Sequence, residues 1–183
     1  MIFTLNMIAE QFNLAEITWA LGGSNVLKKY GLTDTVNDID IFVMEKDIKR
    51  ANQILSELGT KLAPNLSSKY ETAYFYQFQV RNVQVDLICD FKIKYNNTLY
   101  TYIFDEQSIT DEDQIAGISI YYTSLEDWYI LYRLMNQSES EKTLNLEKHF
   151  QLHGIKHMKL LSRALDKVPK ELKFKIKYQL AIE

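Results

Sequence analysis

The chain of 183 residues is 46% hydrophobic and 25% charged, as expected for an ordinary soluble protein with one core, with or without a helical appendage. Its net charge of −3 argues against nonspecific nucleic-acid binding by the whole surface. The single cysteine, Cys89, excludes an internal disulfide framework and a cysteine-built zinc site. Residues 1–9 are apolar but lack a basic start, so we expect no signal peptide, no membrane partner and a cytoplasmic location.

The first part of the chain alternates between helix and strand patterns. These patterns predict, in chain order, a helix over 4–13, a strand over 17–21, a helix over 25–30, a strand over 38–43 and a helix over 46–58. Ser24 is the expected N-cap of the second helix, and Gly31 is its expected stop.

The middle of the chain predicts hairpins, and the end predicts helices. Strands over 74–80 and 83–89 join at Arg81-Asn82, where asparagine tolerates the left-handed turn conformation. A second hairpin turn is expected at Asn96-Asn97, one more strand over 117–122, and helices from the N-cap Ser124 onward with stops near Gly154 and Pro169. The patterns therefore predict an α+β chain, with strands and helices over 1–122 and a C-terminal helical region over 123–183.

Three aspartates are placed to share one site. Asp38 and Asp40 lie two apart on a strand, so both side chains point to one face with Cα atoms roughly 6–7 Å apart. Asp86 lies opposite the aliphatic face of the strand over 83–89, where an acid is costly unless something pairs with it. If the two strands are neighbours, three carboxylates converge. Such oxygens suit Mg²⁺ or Mn²⁺, and a pair of ions about 3.5–4 Å apart could then clamp a phosphoryl transfer.

Gly22, Gly23 and Ser24 follow a buried strand directly. The glycines let the backbone approach a ligand closely, and the N–H groups of the next helix, with the Ser24 hydroxyl, form a seat for a phosphate. The glycine segment and the acid pair each have a structural alternative. The glycines could form a tight turn with an N-cap, and the acids could lie at a solvated strand edge. Their order, their spacing and the third acid favour one functional site.

These residues resemble the nucleotidyltransferase superfamily, in its minimal and antibiotic-modifying branches. The resemblance consists of Gly-Gly-Ser at 22–24, a spacer of 13 residues, Asp-Ile-Asp at 38–40 and a later strand acid. It covers roughly residues 15–90 well. It continues more loosely through Ser-Leu-Glu-Asp-Trp-Tyr-Ile-Leu-Tyr at 124–132, which is similar to the helix that follows the catalytic domain in relatives.

The resemblance implies a nucleotidyltransferase fold, that is, a mixed β-sheet flanked by helices over 1–122 and followed by the C-terminal helical region. It also implies transfer of a nucleoside monophosphate from an NTP to an acceptor hydroxyl, with release of pyrophosphate. It implies that two Mg²⁺ or Mn²⁺ ions are held by Asp38, Asp40 and Asp86, and that the phosphates are held by Gly22, Gly23 and Ser24. Asp86 would also act as the general base. The acceptor stays open between a small molecule, a tRNA end and a protein hydroxyl, and neither the base nor the oligomeric state can be read from the sequence.

The sequence departs from many relatives in its basic residues. No basic residue precedes the acid pair, and the expected lysine of the later helix is replaced by Tyr132-Arg133. Arg133 or Lys142 could contact phosphate instead, although a surface ion pair is an alternative for each. Two other functions stay open, a binding module that has lost catalysis on the same fold and a glycosyltransferase that holds a sugar nucleotide through Asp-x-Asp.

Three further features favour structural roles. The histidines at 149, 153 and 157 are four apart, but Gly154 is expected to break their helix, so we expect solvated or packing histidines rather than metal binding. The lysine-rich segment 156–177 is typical of a solvated helical face, with RNA or an anionic acceptor as the alternative. The acidic stretch over 105–113 is expected to be a loop, or an attractor for a cationic acceptor.

Overall fold

The computed structural model describes residues 1–63, 67–135 and 139–182. The helices are α1 (Ile2–Leu14), α2 (Gly23–Lys29), α3 (Ile48–Leu58), α4 (Leu125–Leu134), α5 (Glu141–His153), α6 (Met158–Leu165) and α7 (Lys170–Leu180). The strands are β1 (Trp19–Leu21), β2 (Asp38–Val43), β3 (Thr60–Leu62), β4 (Tyr74–Val80), β5 (Val83–Cys89), β6 (Lys92–Tyr95), β7 (Thr98–Thr101), β8 (Ile109–Ile115) and β9 (Ile118–Thr123). None of the described helices is long and apolar enough to cross a bilayer.

Seven strands form one mixed sheet in the order β3-β4-β5-β2-β1-β9-β8, and β6 pairs with β7 separately. The β2–β5 and β1–β9 pairs are parallel, whereas the other pairs in the large sheet are antiparallel. β2 is therefore the central strand, and Ile39 and Ile41 on one of its faces are fully buried. This arrangement confirms the predicted mixed sheet flanked by helices.

Helix α4 carries the chain from the sheet into the C-terminal helices. The predicted N-cap is confirmed, because Ser124 Oγ accepts a hydrogen bond from the Asp127 N–H at 3.0 Å. Every residue of α4 is buried, since the helix packs against α2, α5 and α6 as well as β6. The division of the chain into domains at 122 and 123 stays a prediction.

The acidic stretch is a strand for most of its length, and the expectation of a loop was wrong. Residues 109–115 form β8, which pairs with β9 at the edge of the sheet. The Lys29 ammonium lies 3.5 Å from Asp111 and 2.5 Å from Asp113, and the Tyr30 hydroxyl donates to Asp111 at 2.7 Å. Asp111 and Asp113 are therefore paired within the chain, whereas attraction of a cationic acceptor by the acidic stretch stays a prediction.

One local prediction differs from the structure, and another is confirmed. In the β4–β5 turn the left-handed residue is Arg81, with φ 54°, rather than Asn82, and its guanidinium lies 4.3 Å from the Phe3 ring centroid. The predicted stop at Gly154 is confirmed, since α5 ends there with φ 75°. His157 therefore lies at the start of α6, on a different helix from the other two histidines.

Candidate active site

The two glycines of the β1–α2 turn are required by close contacts. A Cβ atom on Gly22 would lie 2.5 Å from the rings of both Phe42 and Trp128. A Cβ atom on Gly23, which has φ 58°, would lie 2.0 Å from Asp40 Oδ2. The Gly22 N–H also donates to the Asp40 carbonyl at 2.9 Å. The glycine turn and the carboxylate strand are therefore in direct contact, as parts of one site.

The start of α2 differs from the prediction by two residues. The helix begins at Gly23 with Gly22 as its N-cap, so Ser24 lies inside the first turn rather than at the cap. The reason is that glycine at 23 permits a positive φ at the helix entry, which frees the Ser24 side chain from capping. Its hydroxyl instead faces the cavity beside the carboxylates.

The three predicted carboxylates converge. β2 and β5 are parallel neighbours, with Asp40 opposite Asp86 and Asp38 opposite Gln84. One carboxylate oxygen from each aspartate can be chosen so that all three lie within 4.8 Å of one another. Asp86 is buried, and the other two are half-buried. This is the donor set and the spacing that a hard divalent cation requires.

The electrostatics of the cluster favour a bound cation. Burial, followed by repulsion from Asp38 and Asp86, raises the pKa of Asp40 to about 8, and nearby Lys142 opposes this shift. Burial also raises the pKa of Asp86, and its hydrogen bonds from Gln84 and Gln77 oppose that shift. Three carboxylates this close repel one another unless a cation lies among them or a proton neutralises one of them.

Lys142 reaches the glycine turn from the C-terminal helices. Its Nζ donates a hydrogen bond to Ser24 Oγ at 2.7 Å, and it lies in the first turn of α5. The sequence offered Lys142 as a possible phosphate contact, with a surface ion pair as the alternative. The structure places its ammonium group at the edge of the carboxylate cavity.

Arg133, the other basic residue considered, lies elsewhere. Its side chain is 4% exposed and forms a salt bridge of 2.9 Å with Glu147, and it also donates to Gln179 and to the Tyr129 hydroxyl. It is not among the described residues that line the cavity. A phosphate contact for Arg133 is therefore not supported, because its charge is paired with Glu147 and its hydrogen bonds link α4, α5 and α7.

A cavity of about 540 Å³ surrounds the carboxylates, which is large enough for a bound small molecule. Its polar wall consists of Gly23, Ser24, Asn37, Asp38, Asp40, Ser67, Gln77, Gln84, Asp86 and Lys142. Its apolar wall consists of Phe42, Tyr70, Phe75, Ile88, Phe91, Trp128, Tyr132 and Met135.

Sequence reasoning missed Gln77 and Gln84, which both donate hydrogen bonds to Asp86. The sequence does contain a signal for their position, the register of the predicted hairpin. The two-residue turn at Arg81-Asn82 sets the register of the hairpin, and this register places Gln77 opposite Asp86.

Comparison with known proteins identifies the family of the chain. A protein-family model described as "Uncharacterised nucleotidyltransferase" matches residues 2–168. No curated protein sequence matched the chain.

Solved structures show the same fold. A Thermotoga maritima protein provisionally assigned as a nucleotidyltransferase is similar, with a TM-score of 0.63 and 22% identity over 78% of this chain and 89% of its own. ANT(2'')-Ia in complex with adenylyl-2''-tobramycin has a TM-score of 0.52 and 14% identity over 96% of this chain and 91% of its own. The lincosamide antibiotic adenylyltransferase LnuA, bound to lincomycin, has a TM-score of 0.52 and 18% identity over 79% of this chain and 94% of its own.

The family model covers most of the chain, including the glycine turn and all three aspartates. The similar structures contain the same fold, and the glycosyltransferase alternative receives no support from any of these matches. The chain therefore belongs to the nucleotidyltransferase family that this model describes.

Proposed function

We propose that the protein transfers a nucleoside monophosphate from an NTP to an acceptor hydroxyl and releases pyrophosphate. The observation that carries this proposal is the convergence of Asp38, Asp40 and Asp86 within 4.8 Å, in a cavity that also contains Ser24 and Lys142. Acids on one side and phosphate-binding groups on the other are what a nucleoside triphosphate requires.

The three carboxylates fit Mg²⁺ or Mn²⁺, because hard oxygen donors are already gathered and repel one another without a cation. Asp38, Asp40 and Asp86 would hold the ions, which we take to be two in the active complex. Bound ions of this kind supply positive charge that offsets the charge of the reacting phosphates.

The glycine turn and Lys142 would bind the β- and γ-phosphates. Gly22 has no Cβ to collide with the rings of Phe42 and Trp128, and Gly23 has none to collide with the Asp40 carboxylate, so the turn can lie directly against the carboxylate strand. The Ser24 hydroxyl and the Lys142 ammonium, 2.7 Å apart, can both donate to phosphate oxygens. Their positive charge and hydrogen bonds favour the departing pyrophosphate.

Asp86 would accept the proton of the acceptor hydroxyl. The hydroxyl oxygen forms a bond to the α-phosphorus, and the bond from that phosphorus to the bridging oxygen breaks. Pyrophosphate leaves with the electron pair, and the hydroxyl proton passes to the Asp86 carboxylate. No covalent enzyme intermediate is needed, because positioning and charge neutralisation carry most of such a reaction.

ATP is the first donor to test, since one similar structure holds an adenylylated product and another is an adenylyltransferase. The first of these carries adenylyl-2''-tobramycin and the second is bound to lincomycin, so hydroxylated small molecules are the first acceptor class. tRNA and protein hydroxyls are the other two classes.

The experiment incubates the protein with each NTP, Mg²⁺ or Mn²⁺, and one acceptor class at a time. Pyrophosphate release and the acceptor mass are both measured. An acceptor heavier by one nucleoside monophosphate, formed by the wild type and not by the Asp38→Ala/Asp40→Ala variant, supports the proposal. Nucleotide binding without pyrophosphate release in any class would favour the alternative, a binding module on the same fold.

A further inference from the structure

Two glutamine side chains hold the Asp86 carboxylate. Gln84 Nε2 donates to Asp86 Oδ1 at 3.0 Å. Gln77 Nε2 lies 3.2 Å from the same Oδ1 and 3.4 Å from Oδ2. Oδ1 therefore accepts from both amides at ordinary hydrogen-bond distances, whereas Oδ2 has one longer contact and keeps acceptor capacity.

The sheet register explains why both glutamines reach Asp86. On the face that carries the acids, Asp40 of β2 lies on one side of Asp86 and Gln77 of β4 lies on the other. Gln84 is two residues before Asp86 on β5, so it points to the same face. Gln77 is 8% exposed, and a buried amide at this position is held in place by its surroundings.

We infer that Gln77 and Gln84 are positioning residues that fix the Asp86 side chain for metal binding and for proton acceptance. An amide donor orients a carboxylate without neutralising it, so Asp86 keeps its charge for the cation and the acceptor. The two bonds to Oδ1 favour one rotamer of the Asp86 side chain. In this rotamer Oδ2 remains able to bind a cation or to accept a proton in the cavity. This inference rests on the proposed function, because it gives Asp86 the role proposed above.

The test uses methionine substitutions, because methionine matches glutamine in length but has no N–H donor. The two variants are Gln77→Met and Gln84→Met. The second keeps the inference testable if the buried Gln77 variant unfolds. The matched control is Gln79→Met, since Gln79 lies on β4 two residues from Gln77 and donates to the Arg81 carbonyl rather than to Asp86.

The readout is the Mn²⁺ dissociation constant of the full chain, measured by electron paramagnetic resonance with no acceptor present. Circular dichroism and the melting temperature establish that each variant is folded. We expect Mn²⁺ binding to weaken by roughly 10-fold in Gln77→Met and in Gln84→Met, and to stay at the wild-type value in Gln79→Met. In an Asp86→Asn background, neither glutamine substitution should weaken binding further.

Three results would overturn the inference. Both folded variants could bind Mn²⁺ as tightly as the Gln79→Met control. The glutamine substitutions could weaken binding equally in the wild-type and the Asp86→Asn backgrounds, which would show an effect that does not act through Asp86. If the wild type itself binds no Mn²⁺, the metal site of the proposed function fails and this inference fails with it. The first two results leave the proposed function standing.

Discussion

Lys142 Nζ donates to Ser24 Oγ at 2.7 Å, although the two residues are 118 positions apart in the chain. This bond joins the first turn of α5 to the first turn of α2. The C-terminal helices thus contribute a positive charge to a cavity whose carboxylates come from the sheet. The proposed triphosphate site is therefore assembled from both parts of the chain.

Removing the Lys142 charge should weaken donor binding. We predict that Lys142→Met raises the KM for the NTP by roughly 10–100-fold, because a charge-assisted hydrogen bond contributes about 1.5–3 kcal/mol. Lys148→Met is the control, since Lys148 is exposed on the same helix. Steady-state kinetics of pyrophosphate release check the prediction. An equal KM in the two variants would contradict a phosphate contact at Lys142.

Replacing Asp40 should remove activity and stabilise the apoprotein. Burial and the neighbouring Asp38 and Asp86 raise the pKa of Asp40 to about 8, so folding disfavours its ionised form. Asp40→Asn removes that cost, and we expect the metal-free melting temperature at neutral pH to rise by roughly 2–4 °C, which corresponds to about 1 kcal/mol. Transfer should fall by at least about 10³-fold, as expected when a main electrostatic contact to the reacting group is lost. Calorimetry and a transfer assay check the two effects. A less stable variant would show that Asp40 supports the fold rather than the site.

Gly23→Ala should weaken metal binding by more than the backbone strain of alanine at a positive φ explains. Both Gly23 and Gly31 have positive φ, 58° and 68°, so alanine at either costs about 1–2 kcal/mol. At Gly23 the new Cβ would meet the Asp40 carboxylate, whereas no atom of the described residues lies within 4 Å of a Cβ at Gly31. We predict loss of Mn²⁺ binding in Gly23→Ala and wild-type binding in Gly31→Ala, measured by isothermal titration calorimetry. Similar Mn²⁺ affinities in both would refute the close contact.

Asp127 should make stability fall as pH rises. Burial raises the pKa of Asp127 to about 6, and the Arg163 charge and the Ser124 and Tyr102 hydrogen bonds oppose the shift. The folded state therefore binds this proton more tightly than the unfolded state, whose pKa is about 3.9. Its stabilising contribution is complete below about pH 4 and is lost as pH rises through about 6.

This contribution of Asp127 to the free energy of unfolding is about 3 kcal/mol, because its pKa rises by about two units on folding. Asp127→Asn should remove that part of the pH dependence and be more stable than the wild type at pH 7.5. Urea unfolding at pH 4, 5, 6 and 7.5 checks the prediction. Parallel pH profiles for the two proteins would contradict it.

Arg133→Met should destabilise the protein and leave the cavity intact. The substitution leaves the Glu147 carboxylate without its buried partner, which costs about 3–5 kcal/mol. Lys175→Met, which removes an exposed pair with Glu171, should change stability by less than about 0.5 kcal/mol. Denaturant unfolding gives both values, and Mn²⁺ binding below the melting temperature should be unchanged. Weaker Mn²⁺ binding in folded Arg133→Met would contradict the structural role.

The sequence predicted the parts of the site that local patterns determine. Alternation in β2 put Asp38 and Asp40 on one face, and the aliphatic face of β5 put Asp86 on the other side of its own strand. The glycines marked a close backbone approach. The contact of Gly23 with the Asp40 carboxylate was not readable, because it depends on how α2 packs against β2.

Long-range contacts and strand pairing account for what was not predicted. Lys142 could not be distinguished from a surface lysine, because its position depends on the packing of α4 and α5. The acids of β8 resembled a loop, since nothing local shows that Lys29 and Tyr30 pair with Asp111. For Arg133 the sequence left a phosphate contact and a surface ion pair open, because its buried partner Glu147 lies on the following helix.

The most direct test of the account is a thermal-shift titration of each NTP with and without Mg²⁺ or Mn²⁺, on the wild type and on Asp38→Ala/Asp40→Ala. The account predicts a metal-dependent rise in melting temperature for at least one nucleotide, and its loss in the double variant. A nucleotide shift that needs no metal, or that persists in the double variant, would contradict a site built on these carboxylates.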